Sequence, residues 1–243
     1  MYKEHRDFEK PKERARIWRY MDFTKFVSLL DNKALFFPRA DKLGDPFEGS
    51  FSKANIPIRE EIYRGENDLT TEEVSEIYKS LPEFTAISCW HINWYESAAM
   101  WKLYLKSNEG IAIWSNFERL RNSLKDKKND IYIGKVKYID YEKETVPEGP
   151  LLCFMHKRKS FKHEAELRAI IQQKIPAVGV SKRSKRPLNN GLYVPVDLDI
   201  LITRIYVAPT SPKWLVNLVE SITNQYGLNK KVLQSDLDKE PFF

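Results

Sequence analysis

The sequence predicts an α+β fold: a single domain whose bent or split, mainly antiparallel sheets are flanked by helices. Three observations lead there. Short apolar runs alternating with period two outnumber runs with helical spacing. No internal repeat or low-complexity tract interrupts them. Among 243 residues there are 6 Trp, 12 Tyr and 13 Phe but only 9 Gly, which favours a packed globule and disfavours a glycine-rich nucleotide loop.

In chain order, residues 1–16 are charged and aperiodic and read as an N-terminal arm or frayed helix, with the single α+β domain spanning 17–243. Ile17 to Met21 alternates like a strand. Phe23 to Leu30 repeats apolar residues at three and four, a helix capped by Asp22 and ended by Asn32 or Lys33. Ala34 to Phe37 is a second strand, broken by Pro38, and Gly44-Asp45-Pro46 is turn chemistry. Residues 55–82 read as a helical insertion, with Thr70-Thr-Glu-Glu as a capping box and Pro82 as its stop. Phe84 to Trp90 is a strand, Tyr95 to Leu105 a helix, Gly110 to Trp114 a strand and Phe117 to Lys125 a short helix. Ile131 to Tyr141, Leu192 to Val196 and Ile200 to Ala208 read as strands, Trp214 to Tyr226 as an amphipathic helix, and Lys231 to Gln234 as a last strand.

No apolar stretch is long enough to span a bilayer, and Met1 to Lys10 lacks the apolar core of a signal peptide, so the expectation is a cytoplasmic protein without a membrane partner. The two cysteines, Cys89 and Cys153, are expected as reduced thiols. The net charge of +6 is concentrated at Lys10 to Arg16, Lys157 to Lys162 and Lys182 to Arg186. Such clusters either contact nucleic acid or another polyanion, or are solvated loops, as the turn signals at Pro187 and Asn189-Asn190-Gly191 suggest for the last.

Four constellations can carry chemistry. Glu164-Ala-Glu166 is followed by Arg168. In a strand all three charged residues share one face while Ala165, Leu167 and Ala169 face a core; in a helix Glu164 and Arg168 form an ordinary surface ion pair. A strand carboxylate pair suits an oxocarbenium-like transition state, one member stabilising charge at a sugar C1 and its neighbour positioning an acceptor. Arg19 in an apolar strand, beside Tyr20, needs either an internal carboxylate or an anionic ligand. Ser88-Cys89-Trp90-His91, Asn93, Glu96-Ser97 and Met100-Trp101 form an aromatic and amide cluster suited to gripping a planar ring, or to filling a core. Cys89-x-His91 with Cys153-x2-His156 is a loose zinc pattern, and no metal is expected. Cys89 and His91, two apart on a strand, make a poor nucleophile and base.

Trp18-Arg19-Tyr20, the run from Leu35 through Arg39, Asp41 and Asp45 to Glu48, Ser88-Cys-Trp90, Glu96-Ser97, Met100-Trp101, Tyr104 and Gly110-Ile-Ala-Ile resemble the bacterial domain-of-unknown-function 2971 family. Lys159, Phe161, Glu164, Glu166-Leu-Arg168 and Val207-Ala-Pro209 continue the pattern over nearly the whole chain. More distantly, the order of strand Arg, strand Ser and Glu-x-Glu is similar to the arginine, serine and glutamate triad of ADP-ribosyltransferases. That resemblance implies an ADP-ribosyltransferase-like core and NAD as substrate, with ADP-ribose passed to a macromolecular acceptor or to water, as in a toxin or phage-defence effector. It implies Arg19 on the NAD phosphates or ribose, Ser88 bracing the nicotinamide ribose, Glu166 stabilising the oxocarbenium ion and Glu164 orienting the acceptor, with Tyr20, Trp90, Asn93 and Arg168 as further binding residues. Cys89-Trp90 after Ser88 departs from the triad family's Ser-Thr-Ser run. Two other functions stay open from the residues: a non-catalytic nucleic-acid or protein-binding module using the basic clusters, and a metal-dependent nuclease or phosphoesterase using Asp45, Glu48, Glu164 and Glu166.

Overall fold

Asp22 closes one element and opens the next. It ends strand β2 (Arg16–Asp22), and its side chain accepts from the Lys25 amide to cap helix α1 (Phe23–Asn32). Lys33, at φ 46°, turns the chain out of the helix in the left-handed conformation, and β3 (Ala34–Pro38) follows. The computed structural model describes residues 1–58, 70–104, 108–174 and 186–241. Within them lie β1 (Tyr2–Lys3), α2 (Thr71–Phe84), β4 (Thr85–Ile92), α3 (Ala98–Tyr104), β5 (Gly110–Asn116), α4 (Phe117–Ser123), β6 (Ile131–Lys135), β7 (Lys137–Ile139), β8 (His156–Arg158) and β9 (Glu166–Gln172). The chain continues through β10 (Gly191–Pro195), α5 (Leu198–Leu201), β11 (Arg204–Val207), α6 (Lys213–Gln225) and β12 (Val232–Gln234).

Eight strands form one sheet in the order β1-β6-β9-β4-β2-β5-β11-β12, antiparallel except at its two outer pairs, β1 with β6 and β11 with β12. Two small sheets, β10-β3 and β7-β8, lie beside it. The α+β expectation with a mainly antiparallel sheet therefore holds. Gly191 begins β10 at φ 153°, where a Cβ would collide with the Phe37 carbonyl oxygen of β3, so this close pairing requires glycine.

Period two sorts the sheet's side chains. Ile17 and Met21, Ala86 and Trp90, Ile111 and Ile113, and Leu167 and Ala169 join one core under α1, α4 and α6. On the opposite face, Ile87 and Ile170 pack under Tyr141, Val146 and Leu152 to Met155, while Trp18, Tyr20 and Ala112 pack under Met100 and Trp101 of α3. The central strands β2 and β4 pair only at Ile17 with Ile92 and Trp18 with His91. The sheet is thus two four-stranded halves joined at a short seam.

Several elements depart from the sequence reading. The charged stretch 1–16 contributes β1, and Phe8 is buried against Gly134, where a Cβ would stand 2.9 Å from Phe8 Cβ. Among its charges, Lys3 pairs with Asp130 at 2.8 Å and Lys10 with Glu4 at 2.7 Å. The Thr70 capping box forms, but Pro82 does not stop α2, which runs through it to Phe84. Residues 59–69 of the expected insertion lie outside the described residues, as does Leu105. Ile131 to Tyr141 divides at Val136, whose amide donates to the Glu166 carbonyl at 3.0 Å; β6 then stays in the main sheet while β7 pairs with β8. Ile200 begins no strand: Asp197 caps α5 by accepting from the Asp199 and Ile200 amides, and β11 starts at Arg204.

Candidate active site

A cavity of about 430 Å³ opens where β2 and β4 stop pairing. Trp18 to Met21 of β2 line it from one half-sheet, and Ile87 and Cys89 to His91 of β4 from the other. Leu35 and Phe36 of β3, Tyr193 of β10, Tyr104 of α3, and Glu164 and Glu166 complete much of the wall.

Arg19 reaches across the seam. One guanidinium nitrogen donates to Ser88 Oγ at 2.7 Å and the other to the Phe36 carbonyl at 2.8 Å, with the Trp90 ring 5.8 Å away. Both bonded partners are neutral, and among the described residues no carboxylate pairs with Arg19. Burial accordingly pulls its pKa down. The choice left open by the sequence, internal carboxylate or anionic ligand, goes against the internal partner.

Ser88 is fully buried and accepts a second bond, from Trp90 Nε1 at 3.1 Å, so it fixes the Arg19 head from behind instead of facing the cavity. Trp90, though 1% exposed, lines the wall. Tyr20 does too, its hydroxyl accepting from the Ser97 amide at 2.8 Å.

The carboxylate pair has a geometry that neither sequence alternative described. Residues 159–164 form a 3-10 turn, Ala165 sits at φ 39°, and β9 begins at Glu166. Glu164 therefore precedes the strand, while Glu166 and Arg168 share the face opposite Leu167 and Ala169. Lys157 Nζ, on β8, bonds both carboxylates, Glu166 Oε1 at 2.9 Å and Glu164 Oε2 more closely. Glu166 Oε2 accepts from Arg168 Nε at 2.5 Å, and the rest of that guanidinium holds Glu48 at 2.6 and 2.9 Å and the Phe154 carbonyl at 2.6 Å.

Electrostatics separates the two acids. Burial favours protonation of both, but Arg168 and Lys157 hold the Glu166 carboxyl well below the usual range. Burial, then its hydrogen bond with Glu166, pushes Glu164 up to about 7 against the pull of Lys157. Glu166 is thus an ionised, fully engaged carboxylate, and Glu164 the member that exchanges a proton near neutrality.

Two expected binding residues stand elsewhere. Arg168 is 1% exposed and its donors are consumed by Glu166, Glu48 and Phe154, so it anchors Glu166 and cannot grip a ligand. Asn93 is outside the cavity wall, its carbonyl accepting from Trp18 Nε1 at 3.0 Å. The residues missed from sequence are Lys157, hidden in a basic run that read as a surface patch, and Tyr104, which was named only within the family resemblance and given no role.

The other constellations resolve in the same terms. Among the described residues no group of three or more His, Cys, Asp and Glu is arranged to hold a metal. Asp45 pairs with Arg158 at 2.8 Å and Glu48 with Arg168, while Arg39 holds Asp41 at 2.6 Å. Burial pushes the Cys89 thiol up, and His91 donates Nδ1–H to the Glu164 carbonyl at 2.6 Å, so the two make no nucleophile and base. Of the basic clusters, Lys157, Arg158 and Lys159 are all engaged in ion pairs, and Lys182, Arg183 and Lys185 lie outside the described residues. Among the described residues no helix is long and apolar enough to cross a membrane.

No family model and no curated protein matches the chain. One solved structure that resembles it is Thermus sp. 2.9 DarT in complex with NAD+, at 8% identity and a TM-score of 0.42 over 93% of this chain and 98% of that one. At that similarity the likeness carries no argument, and the site is read from its own geometry.

Proposed function

We propose that this cleft binds NAD and breaks the bond between nicotinamide and ribose, passing ADP-ribose to a macromolecular acceptor or to water. One observation carries the reading: Arg19, a cation that no carboxylate among the described residues pairs with, lines the same cavity as a carboxylate pair. A half-buried guanidinium with neutral partners is costly unless an anion arrives. The pyrophosphate of a dinucleotide supplies one. Aromatic walls at Trp90, Tyr20 and Tyr104 supply area for a planar ring.

In the reaction, the C1′–N bond breaks with its electron pair going to the ring nitrogen, so nicotinamide leaves neutral and positive charge spreads over C1′ and the ring oxygen of ribose. The carboxylate end of the cleft stabilises that charge. An acceptor hydroxyl then bonds to C1′ and gives up its proton, for which Glu164 is the available base. A toxin or defence role belongs to the same proposal, with acceptor chemistry as its determinant.

Nicotinamide release and calorimetric NAD binding test the reading. The wild type is expected to bind and turn over NAD. Arg19→Gln is expected to lose tenfold to hundredfold in affinity, the equivalent of roughly 1.5–3 kcal/mol for a charge-assisted bond. Absence of both binding and turnover in the wild type rejects the proposal.

A further inference from the structure

Glu164 and Glu166 lie two residues apart, yet they cannot play equivalent parts, and the residue that separates them comes from another strand. Lys157 is 8% exposed on β8, between the carboxylates. Its ammonium bonds Glu166 Oε1 and Glu164 Oε2, while Glu166 Oε2 is taken by Arg168. Glu166 therefore has both oxygens committed to cations and Glu164 has one. Both line the cavity, with the Glu164 side chain 18% exposed and that of Glu166 8%.

We propose that Lys157 is a positioning residue that divides the labour of the pair, holding Glu166 as a fixed anion and leaving Glu164 as the group that exchanges a proton with the bound molecule. The inference deepens the NAD-cleaving reading, on which the identity of that molecule rests. Charge count supports it. Lys157 and Arg168 face three carboxylates, Glu48, Glu164 and Glu166. Burial pushes the Glu48 carboxyl up, but both its oxygens accept from the permanently protonated Arg168 guanidinium, and two cations hold Glu166, whereas Glu164 accepts from Lys157 alone. The surplus negative charge is therefore relieved by a proton on Glu164.

The elements packed around Glu164 bring no second cation to its carboxyl among the described residues. Tyr138 of β7 uses its hydroxyl to accept from the Glu166 amide, and burial pushes its pKa up. Tyr104 of α3 is likewise pushed up by burial, as is Cys89 of β4. His91 of β4 is kept neutral by burial, and its ring is tied to the Glu164 carbonyl. His163 precedes Glu164 in the 3-10 turn, and Arg19 lines the same cavity from β2. None of these bonds the Glu164 carboxyl, so Lys157 is its cationic partner among the described residues.

Carbon-13 NMR of glutamate carboxyls, assigned with the E164Q and E166Q variants, tests this without any ligand. In the wild type the Glu164 carboxyl is expected to titrate near neutrality while Glu166 stays ionised into strong acid. Both acids titrating at the ordinary glutamate position, or the order reversed, overturns the proposal. In Lys157→Met the Glu164 midpoint is expected to rise, and in Lys157→Arg to return toward wild type; an unmoved midpoint in a folded K157M protein is equally fatal. Should K157M not fold, the wild-type order of titration alone decides. Failure of the NAD reading shows up separately, as absent nicotinamide release from a protein whose carboxyls titrate as described.

Discussion

Glu164 ties a single proton to the stability of the whole chain. Its carboxyl is raised to about 7 in the folded protein, above an ordinary value of 4.5. A raised acid stabilises the fold fully below its unfolded pKa, and that contribution fades as pH climbs through the folded value. The window therefore runs from about pH 4.5 to 7. Relative to Glu164→Gln, the wild type is expected to lose stability on the order of 2 kcal/mol between pH 5 and pH 8. Urea denaturation of both proteins at the two pH values measures it. A constant difference between them would show that Glu164 titrates normally. This asymmetry was not legible in the sequence: the left-handed turn at Ala165 that lifts Glu164 off the strand is carried by an alanine, a residue type that does not advertise positive φ. Arg19 was legible because a charge in an apolar strand is conspicuous on its own.

At the scale of elements, the strongest coupling runs between the 40–50 loop and β9, where Glu48 and Arg168 form a forked pair at 3% and 1% side-chain exposure. Breaking it from one side leaves a buried charge. Arg168→Met, which leaves Glu48 buried without its guanidinium, is expected to cost about 3–5 kcal/mol, while the double replacement E48M/R168M recovers part of that. Equal losses in the single and double variants would refute the pairing as the cause. The N-terminal segment offers a second case. Phe8→Ala is expected to cost roughly 3 kcal/mol in the same assay, because the ring fills the space over Gly134. Such long-range partnerships explain where sequence reading stopped. Asp22, Thr70 and the alternation of β2 announce local structure through neighbours a few residues away. Nothing near Lys3, Phe8 or Arg168 announces β6 or Glu48, which lie more than a hundred residues distant in the chain.

For the whole molecule, a ligand seated between β2 and β4 contacts both four-stranded halves and stabilises them together. NAD at a hundredfold excess over its Kd is expected to add about 2.7 kcal/mol, a rise in melting temperature of roughly 5–10 °C for a chain of this size. A thermal shift in the wild type that persists undiminished in Arg19→Gln would place the binding elsewhere. The short seam also has a mechanical meaning. Two contiguous residue pairs are a narrow binding along the spine of a book, and the covers to either side hold opposite charges, the guanidinium on one and the acids on the other. A dinucleotide laid in the gutter completes the spine, so its occupancy should be read out as slowed hydrogen exchange at amides along both facing edges, far beyond the atoms it touches.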